Sequence, residues 1–278
     1  MRAALVQMSS SDDPGANLAA ARALIGQAAG AGAALVCTPE NTNCMSSDRA
    51  HQATVLRHED DDPTLAGLRD AAARHGIWLS VGSLGLKVAD DSRFANRSFL
   101  IDPAGGIAAR YDKIHMFDVA LGPGETYAES SAFRPGDRAV VVPTPLGRIG
   151  LTICYDLRFP HLHRALAKAG AEIILNPSAF TVPTGSAHWE VLLRARAIEC
   201  GAFVLAAAQT GHHPRRDEGP QRRTWGHSLA VSPWGEVLAD AGTEPGVALV
   251  EIDLAQVAEA RRRIPALAHD RVFAPPAV

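Results

Sequence analysis

The chain has 278 residues, 47% of them hydrophobic, enough for a sizeable core in one large domain or two small ones. A formal net charge of −3 gives no reason to expect a nucleic-acid partner, and cysteines at 37, 44, 154 and 200 lack the spacing of a zinc knuckle, a thioredoxin-type site or a disulfide framework. The opening Met-Arg-Ala-Ala-Leu-Val-Gln-Met is too short an apolar run for a signal peptide, and no run of about 18 apolar residues follows it. The expectation is a soluble cytoplasmic protein with no membrane partner.

Residues 3–8 predict a first apolar strand. Asp13-Pro14 opens a helix with Leu18, Ala21, Leu24 or Ile25, and Ala28 on one face, ended by Gly30 and Gly32. Residues 33–36 form a second strand that runs out at Thr38-Pro39-Glu40, which makes a βαβ unit. A helix over 64–76 stops at Gly76, and 77–82 is the next strand. Residues 96–101 and 107–111 form a hairpin around Asp102-Pro103-Ala104-Gly105-Gly106 and deliver Asp112-Lys113 at its end. Residues 116–138, rich in glycine, proline and polar residues, predict a long ordered loop.

A second hairpin pairs 139–142 with 148–153 around Pro145-Leu146-Gly147 and ends at Cys154. Pro160 opens a helix that reaches Gly170. Residues 172–175 are a strand, 187–199 a helix, 203–208 a strand and 212–223 a charged loop. A last hairpin joins 228–231 to 237–239 across Ser232-Pro233-Trp234-Gly235. Residues 247–252 form the final strand, and 254–263 a short basic helix. No linker-like shift or repeat is visible, so one domain over 1–265 and a tail over 266–278 are expected.

Cys154 stands where a buried strand gives way to a helix. The helix N-terminus there would favour thiolate over thiol, although a free cysteine is also commonly just a buried apolar residue. Glu40 and Lys113 likewise lie just past strands, and strand carboxyl ends gather at one rim in open α/β sheets. A carboxylate, an ammonium and a thiol at one rim suit acyl transfer. The thiol attacks a carbonyl or nitrile carbon, the carboxylate takes its proton and later activates water, and the ammonium with the Tyr155 backbone N–H meets the oxyanion.

Thr38-Pro39-Glu40-Asn41, Tyr111-Asp112-Lys113-Ile114-His115 and the run from Gly150 to Pro160 resemble, in order and over nearly the whole chain, the motifs of the nitrilase superfamily of carbon–nitrogen hydrolases. The resemblance implies a catalytic triad of Glu40, Lys113 and Cys154, with Glu129, ahead of Gly136, as a second glutamate that holds Lys113. It also implies an α/β fold, a four-layer α-β-β-α sandwich of two sheets, and a homodimer or higher homo-oligomer. The runs 184–199, 208–213 and 225–228 resemble the branch that includes deaminated-glutathione amidase and ω-amidase. That branch implies hydrolysis of a primary amide of a small 2-oxo acid with release of ammonia. Deaminated glutathione is the first choice and 2-oxoglutaramate the second, and a nitrile stays open.

Arg158, His188, His212, His213 and Arg215 are candidate substrate contacts, and the loop arginines 215, 216, 222 and 223 are expected to meet a remote carboxylate. No metal and no cofactor are expected: His212-His213 lacks further ligands, and no Gly-rich nucleotide loop follows a strand. His161 departs from the glutamate that relatives often carry. Asn96-Arg97-Ser98 matches a glycosylation pattern, discarded without a secretory signal. Three rivals are a serine enzyme built on Gly226-His227-Ser228, a papain-like cysteine enzyme, and a binding module that kept the sandwich and lost activity. Strand instead of helix after Ser228 opposes the first, and the absence of that family's local signature around Cys154 opposes the second.

Overall fold

Successive side chains along a strand point to opposite faces, and here both faces are apolar, so each sheet is covered twice. The computed structural model describes residues 1–122, 125–216, 222–274 and 276. The first half contains β1 (Arg2–Gln7), α1 (Pro14–Gly30), β2 (Leu35–Cys37), α2 (Arg49–Val55), α3 (Pro63–His75), β3 (Trp78–Val88), β4 (Asp91–Ile101) and β5 (Ile107–Asp112). There follow β6 (Asp118–Gly122), β7 (Glu125–Ala128), β8 (Phe133–Arg134), β9 (Val140–Thr144), β10 (Gly147–Leu151), α4 (Pro160–Lys168), β11 (Ile173–Leu175), α5 (Val182–Cys200) and β12 (Phe203–Ala206). The chain closes with β13 (Thr210–His212), β14 (Arg223–Trp225), β15 (Leu229–Val231), β16 (Val237–Asp240), β17 (Gly246–Glu251) and α6 (Ala255–Arg263).

One sheet runs β17-β1-β2-β3-β4-β5, with β8 on β4, and the other β16-β15-β12-β11-β10-β9. Each has a parallel centre, β1-β2-β3 and β10-β11-β12. Ala4, Val6, Val36, Phe99 and Ile101 pack with Ala21, Ile25 and Ala28 of α1 and Leu65 and Leu68 of α3. Their neighbours Ala3, Leu5, Leu35, Cys37 and Leu100 turn the other way, into a core with Ile149, Leu151, Ile173 and Leu175 that continues to Leu166 of α4 and Trp189 and Leu193 of α5. The order of layers is therefore helix, sheet, sheet, helix, the α-β-β-α sandwich that the motifs imply. Gly150 lets α4 settle on its sheet: a methyl group there would stand 3.2 Å from the Ala171 Cβ and 3.3 Å from the Leu166 Cβ.

Several elements differ from the sequence reading, for local reasons. Residues 116–138 are not a loop. They hold the β6–β7 hairpin, a 3₁₀ turn at Glu129–Ser131, and β8. The two hairpin strands are half-exposed, so no apolar face marks them. The charged stretch 212–223 contributes the paired ends of β13 and β14, and its residues 217–221 lie outside those described. Helix α5 begins at Val182 instead of 187, because its proline falls in the first turn, where no N–H is needed. Strands β3 and β4 pair as one long hairpin, well beyond 77–82 and 96–101. The sequence gives no expectation for α2, which Asp48 caps through the His51 N–H at 3.0 Å.

Candidate active site

Glu40 lies just beyond β2 and Lys113 just beyond β5 in the first sheet, while Cys154 lies just beyond β10 in the second. The rim is thus shared between two sheets and does not belong to one. Glu40 is held from behind. The Thr38 and Pro39 carbonyls rest on Gly82, where any Cβ would overlap them, and Gln209 Nε2 donates to the Glu40 carbonyl at 2.9 Å. The Cys154 N–H donates to the Pro177 carbonyl at 2.9 Å, with Cys154 at φ +49°, in the left-handed region that strains a residue bearing a Cβ. Asp156, fully buried, accepts from the Ile153 N–H (2.9 Å), the Tyr111 hydroxyl (2.6 Å) and the His115 backbone N–H (3.0 Å), and its Oδ1 lies 2.7 Å from His115 Nδ1. This one carboxylate ties the nucleophile turn to the segment that carries Lys113.

Lys113 Nζ donates to Glu40 Oε1 at 2.9 Å and to the two Glu129 oxygens at 2.9 and 2.8 Å, which uses all three ammonium donors. Asn96 Nδ2 bridges the same carboxylates, at 3.0 Å from Glu40 and 3.3 Å from Glu129, and the Phe117 N–H donates to Glu129 Oε2 at 2.7 Å. The Cys154 thiol lies close enough to the Glu40 carboxylate for each to shift the other's titration. Burial pushes the Glu40 carboxyl up, but attraction to Lys113 and hydrogen bonds from Lys113 and Cys154 outweigh it and hold the group below its ordinary range. Burial lowers the Lys113 ammonium, and Glu129 and Glu40 more than reverse this, so it stays charged. Burial and the neighbouring Glu40 raise the Cys154 thiol well above its ordinary value, against the opposing pull of Lys113 and an Ala179 backbone hydrogen bond.

That last shift corrects the expected thiolate. Cys154 opens a 3₁₀ turn of five residues, and α4 starts only at Pro160, so burial and a carboxylate outweigh any helix terminus. The resting site is a thiol, a carboxylate and an ammonium. The Tyr155 N–H is second in that turn, among the donors that a helix start leaves without an internal partner. Such a set can deprotonate the thiol as it attacks and hold a developing oxyanion.

A cavity of about 560 Å³ opens over Glu40, Lys113, Glu129 and Cys154, walled by Phe117, Tyr127, Tyr155 and Phe180. The other candidates fare differently. Arg158 sits behind this wall, over the Tyr155 and Phe180 rings at 5.9 and 5.7 Å, with Nη2 3.2 Å from Nδ1 of the exposed His188. His213 is buried in the frame, with Nδ1 2.8 Å from the Ser10 carbonyl and Nε2 2.8 Å from the Thr224 hydroxyl, so it is a structural group and does not touch the cavity. His212 is an exposed residue of β13, and Arg215 is not among the cavity-lining residues. Of the loop arginines only Arg222 lines the cavity, and Asn96 joins the site; the sequence reading did not single out either one alone. Ser228 is buried beneath β15, accepts from the Ala208 N–H at 2.8 Å and donates to Gln7 Oε1 at 2.9 Å, which removes the serine-nucleophile rival. Among the described residues no three His, Cys, Asp or Glu side chains group where they could hold a metal ion.

Four stacked layers, with a thiol, a carboxylate and an ammonium meeting at the rim of two sheets, are an arrangement suited to hydrolysis of a carbon–nitrogen bond. The carbon–nitrogen hydrolase family model matches residues 2–262, and the chain belongs to that family, within the nitrilase superfamily. A deaminated glutathione amidase of Yersinia enterocolitica is 42% identical over 270 residues, 96% of this chain and 92% of that protein. A human deaminated glutathione amidase is 40% identical over 273 residues, 96% of this chain and 81% of that protein. The crystal structure of the Caenorhabditis elegans NitFhit protein superposes with a TM-score of 0.87 at 38% identity, covering 97% of this chain and 65% of that one.

Proposed function

We propose that the protein is an amidase that cleaves amides of 2-oxoglutaric acid through a thioester on Cys154, with deaminated glutathione as the preferred substrate and 2-oxoglutaramate as the second. The observation that carries this reading is the gathering of Cys154, Glu40 and Lys113 in one cavity, with Lys113 hydrogen-bonded to Glu40 at 2.9 Å. The preference for the longer substrate is supported by the names of relatives about 40% identical over nearly full length, and by a volume of about 560 Å³, inside the range of about 300–1,000 Å³ typical of small-molecule sites.

In this mechanism Cys154 Sγ attacks the amide carbon while its proton passes to Glu40. As Glu40 takes the proton it gives up its Lys113 donor, and the oxyanion takes hydrogen bonds from that donor and the Tyr155 N–H, with Glu129 keeping the ammonium aimed. Collapse breaks the C–N bond, and Glu40 returns the proton to the leaving nitrogen. Water then loses a proton to Glu40 and attacks the thioester, the acid leaves, and the thiol takes back its proton. The expected primary amide with release of ammonia does not hold for deaminated glutathione. In a glutathione skeleton the γ-carbonyl is bonded to the cysteine nitrogen, so that amide is secondary. Its leaving group is cysteinylglycine, and ammonia comes only from 2-oxoglutaramate.

The test is product analysis with both substrates. The reading expects 2-oxoglutarate with cysteinylglycine from the first and 2-oxoglutarate with ammonia from the second; a protein active only on nitriles would contradict it. A homodimer belongs to the same proposal, supported by exposed Val191 and Ile198, seven residues apart on one face of α5, and it is checked by sedimentation equilibrium. So does a cytoplasmic location, supported by four free cysteines and checked by cell fractionation.

A further inference from the structure

Two guanidinium groups reach the cavity at different depths. Arg222 stands inside. Its Nη2 donates to the Ala179 carbonyl at 2.9 Å, and Ala179 lines the cavity together with Cys154. The Arg222 charge reaches the Glu40 carboxylate, and its guanidinium lies 5.8 Å from the Tyr127 ring centroid. Its Nε is buried with no hydrogen-bond partner among the described residues. A buried donor left unpaired is unfavourable, more so when charged, and Arg222 lines the cavity, so its guanidinium is placed to meet an anion there. Arg49 stands at the mouth: it is exposed, in the first turn of α2, with Nη1 donating to the Ser131 carbonyl and Nη2 to the Ser92 carbonyl at 3.3 Å.

We propose that Arg222 binds the carboxylate of the acyl group and that Arg49 selects for a leaving group that carries its own carboxylate. This assignment rests on the 2-oxo acid amide reading above. Reach decides which cation meets which end. In a 2-oxoglutaryl group the carboxylate carbon is four C–C bonds of about 1.5 Å from the amide carbon, so it extends at most ~5 Å. With the amide carbon on Cys154, that short reach keeps the carboxylate inside the cavity that Ala179 and Arg222 line. The amine half then projects towards the open side and Arg49. The expected role of the loop arginines is thereby changed: Arg222 takes the near carboxylate, and the remote one falls to a residue of α2. Arg222 keeps its ligand from the first complex through the thioester, whereas Arg49 loses its ligand when the amine departs.

The test compares kcat/KM for deaminated glutathione, 2-oxoglutaramate and valeramide, an uncharged amide of the same length as the acyl chain. Wild type, Arg222→Gln, Arg222→Lys and Arg49→Gln are compared, each checked for folding by circular dichroism. Arg222→Gln is expected to lower the preference for both 2-oxo acid amides over valeramide about 100-fold, the size of one charge-assisted hydrogen-bonded pair. The ratio between the two 2-oxo acid amides should stay within about threefold, since the acyl half is common to both. Arg222→Lys should recover part of the lost preference, and it supplies the same ratios if Arg222→Gln does not fold. Arg49→Gln is expected to lower the preference for deaminated glutathione over 2-oxoglutaramate about three- to fivefold, as for a solvent-exposed charge pair in a site mouth. If Arg222→Gln leaves the preference over valeramide intact, or discriminates between the two 2-oxo acid amides, the assignment is wrong while the substrate reading stands. If wild type hydrolyses valeramide and neither 2-oxo acid amide, the substrate reading fails and takes the assignment with it.

Discussion

In the resting site the proton stays on Cys154, because burial and Glu40 raise the thiol while Lys113 and hydrogen bonding hold Glu40 down. Proton transfer from sulfur to carboxylate is therefore uphill on its own. It becomes favourable only together with attack on a carbonyl, which spares the free enzyme a reactive thiolate. Glu40→Gln keeps the shape and removes the base, so acylation and deacylation should both slow, by about 100-fold or more in kcat. Lys113→Met should cost at least as much, by comparison with loss of an oxyanion donor. It also leaves Glu40, 3% exposed, without its hydrogen-bonded cation, a change of about 3–5 kcal/mol for a broken buried pair, so turnover must be normalised to folded protein. Near-normal kcat in either folded variant would contradict the assigned roles. The sign of the pH dependence follows from the same shifts. Glu40 must be ionised to act and is held below its ordinary 4.5, so kcat/KM should not show a carboxylate limb above that pH. An acid limb near neutrality that disappears in Glu40→Gln would show the opposite.

At the scale of elements, the site depends on how two strand ends of one sheet are tied to a strand end of the other. Asp156 makes that tie, and the buried Tyr111 hydroxyl that donates to it is itself kept protonated by burial and by the Asp156 charge. Asp156→Asn keeps the volume but cannot accept from every donor at once. It should reduce kcat more than it raises KM, and should lower stability by about 1–3 kcal/mol in denaturant unfolding. A change in KM alone would make Asp156 a substrate contact and not a tie. Gly82→Ala, which pushes on the Thr38 and Pro39 carbonyls, should displace Glu40 and reduce kcat while leaving cavity cations in place. Much of this framework is legible in the sequence, because short apolar strands ending in Glu40, Lys113 and Cys154 announce themselves by residue type. Asn96 is not, because its role lies in bridging two carboxylates from a strand 56 positions beyond Glu40. The β6–β7 hairpin escapes for want of an apolar face. Arg222 could not be separated from its neighbours, since only pairing of β13 with β14 decides which arginine turns inward.

For the whole molecule, stability should fall on the acid side for two reasons of the same sign. Burial lowers His163 and His213 from 6.5 to about 4, so between those values the unfolded chain binds protons that the folded one refuses. Stability is complete above pH 6.5 and declines towards pH 4, by about 2 kcal/mol per histidine at pH 5. Glu40 adds a second contribution, present above 4.5 and lost as pH falls through its depressed value. Lys113 works at the other end, stabilising below 10.5 and losing its effect as pH rises through its raised value. Thermal melts from pH 8 to 4.5 should show this decline, and a flat profile from 6.5 to 5 would contradict burial of two neutral histidines. Passage of the acyl group through sulfur is tested by acid-quenching the protein during turnover of deaminated glutathione and mapping covalent mass by peptide mass spectrometry. One 2-oxoglutaryl group, confined to Cys154, is expected, with neither adduct nor turnover in Cys154→Ala. Turnover retained in folded Cys154→Ala, or an acyl group carried by another residue, would contradict it.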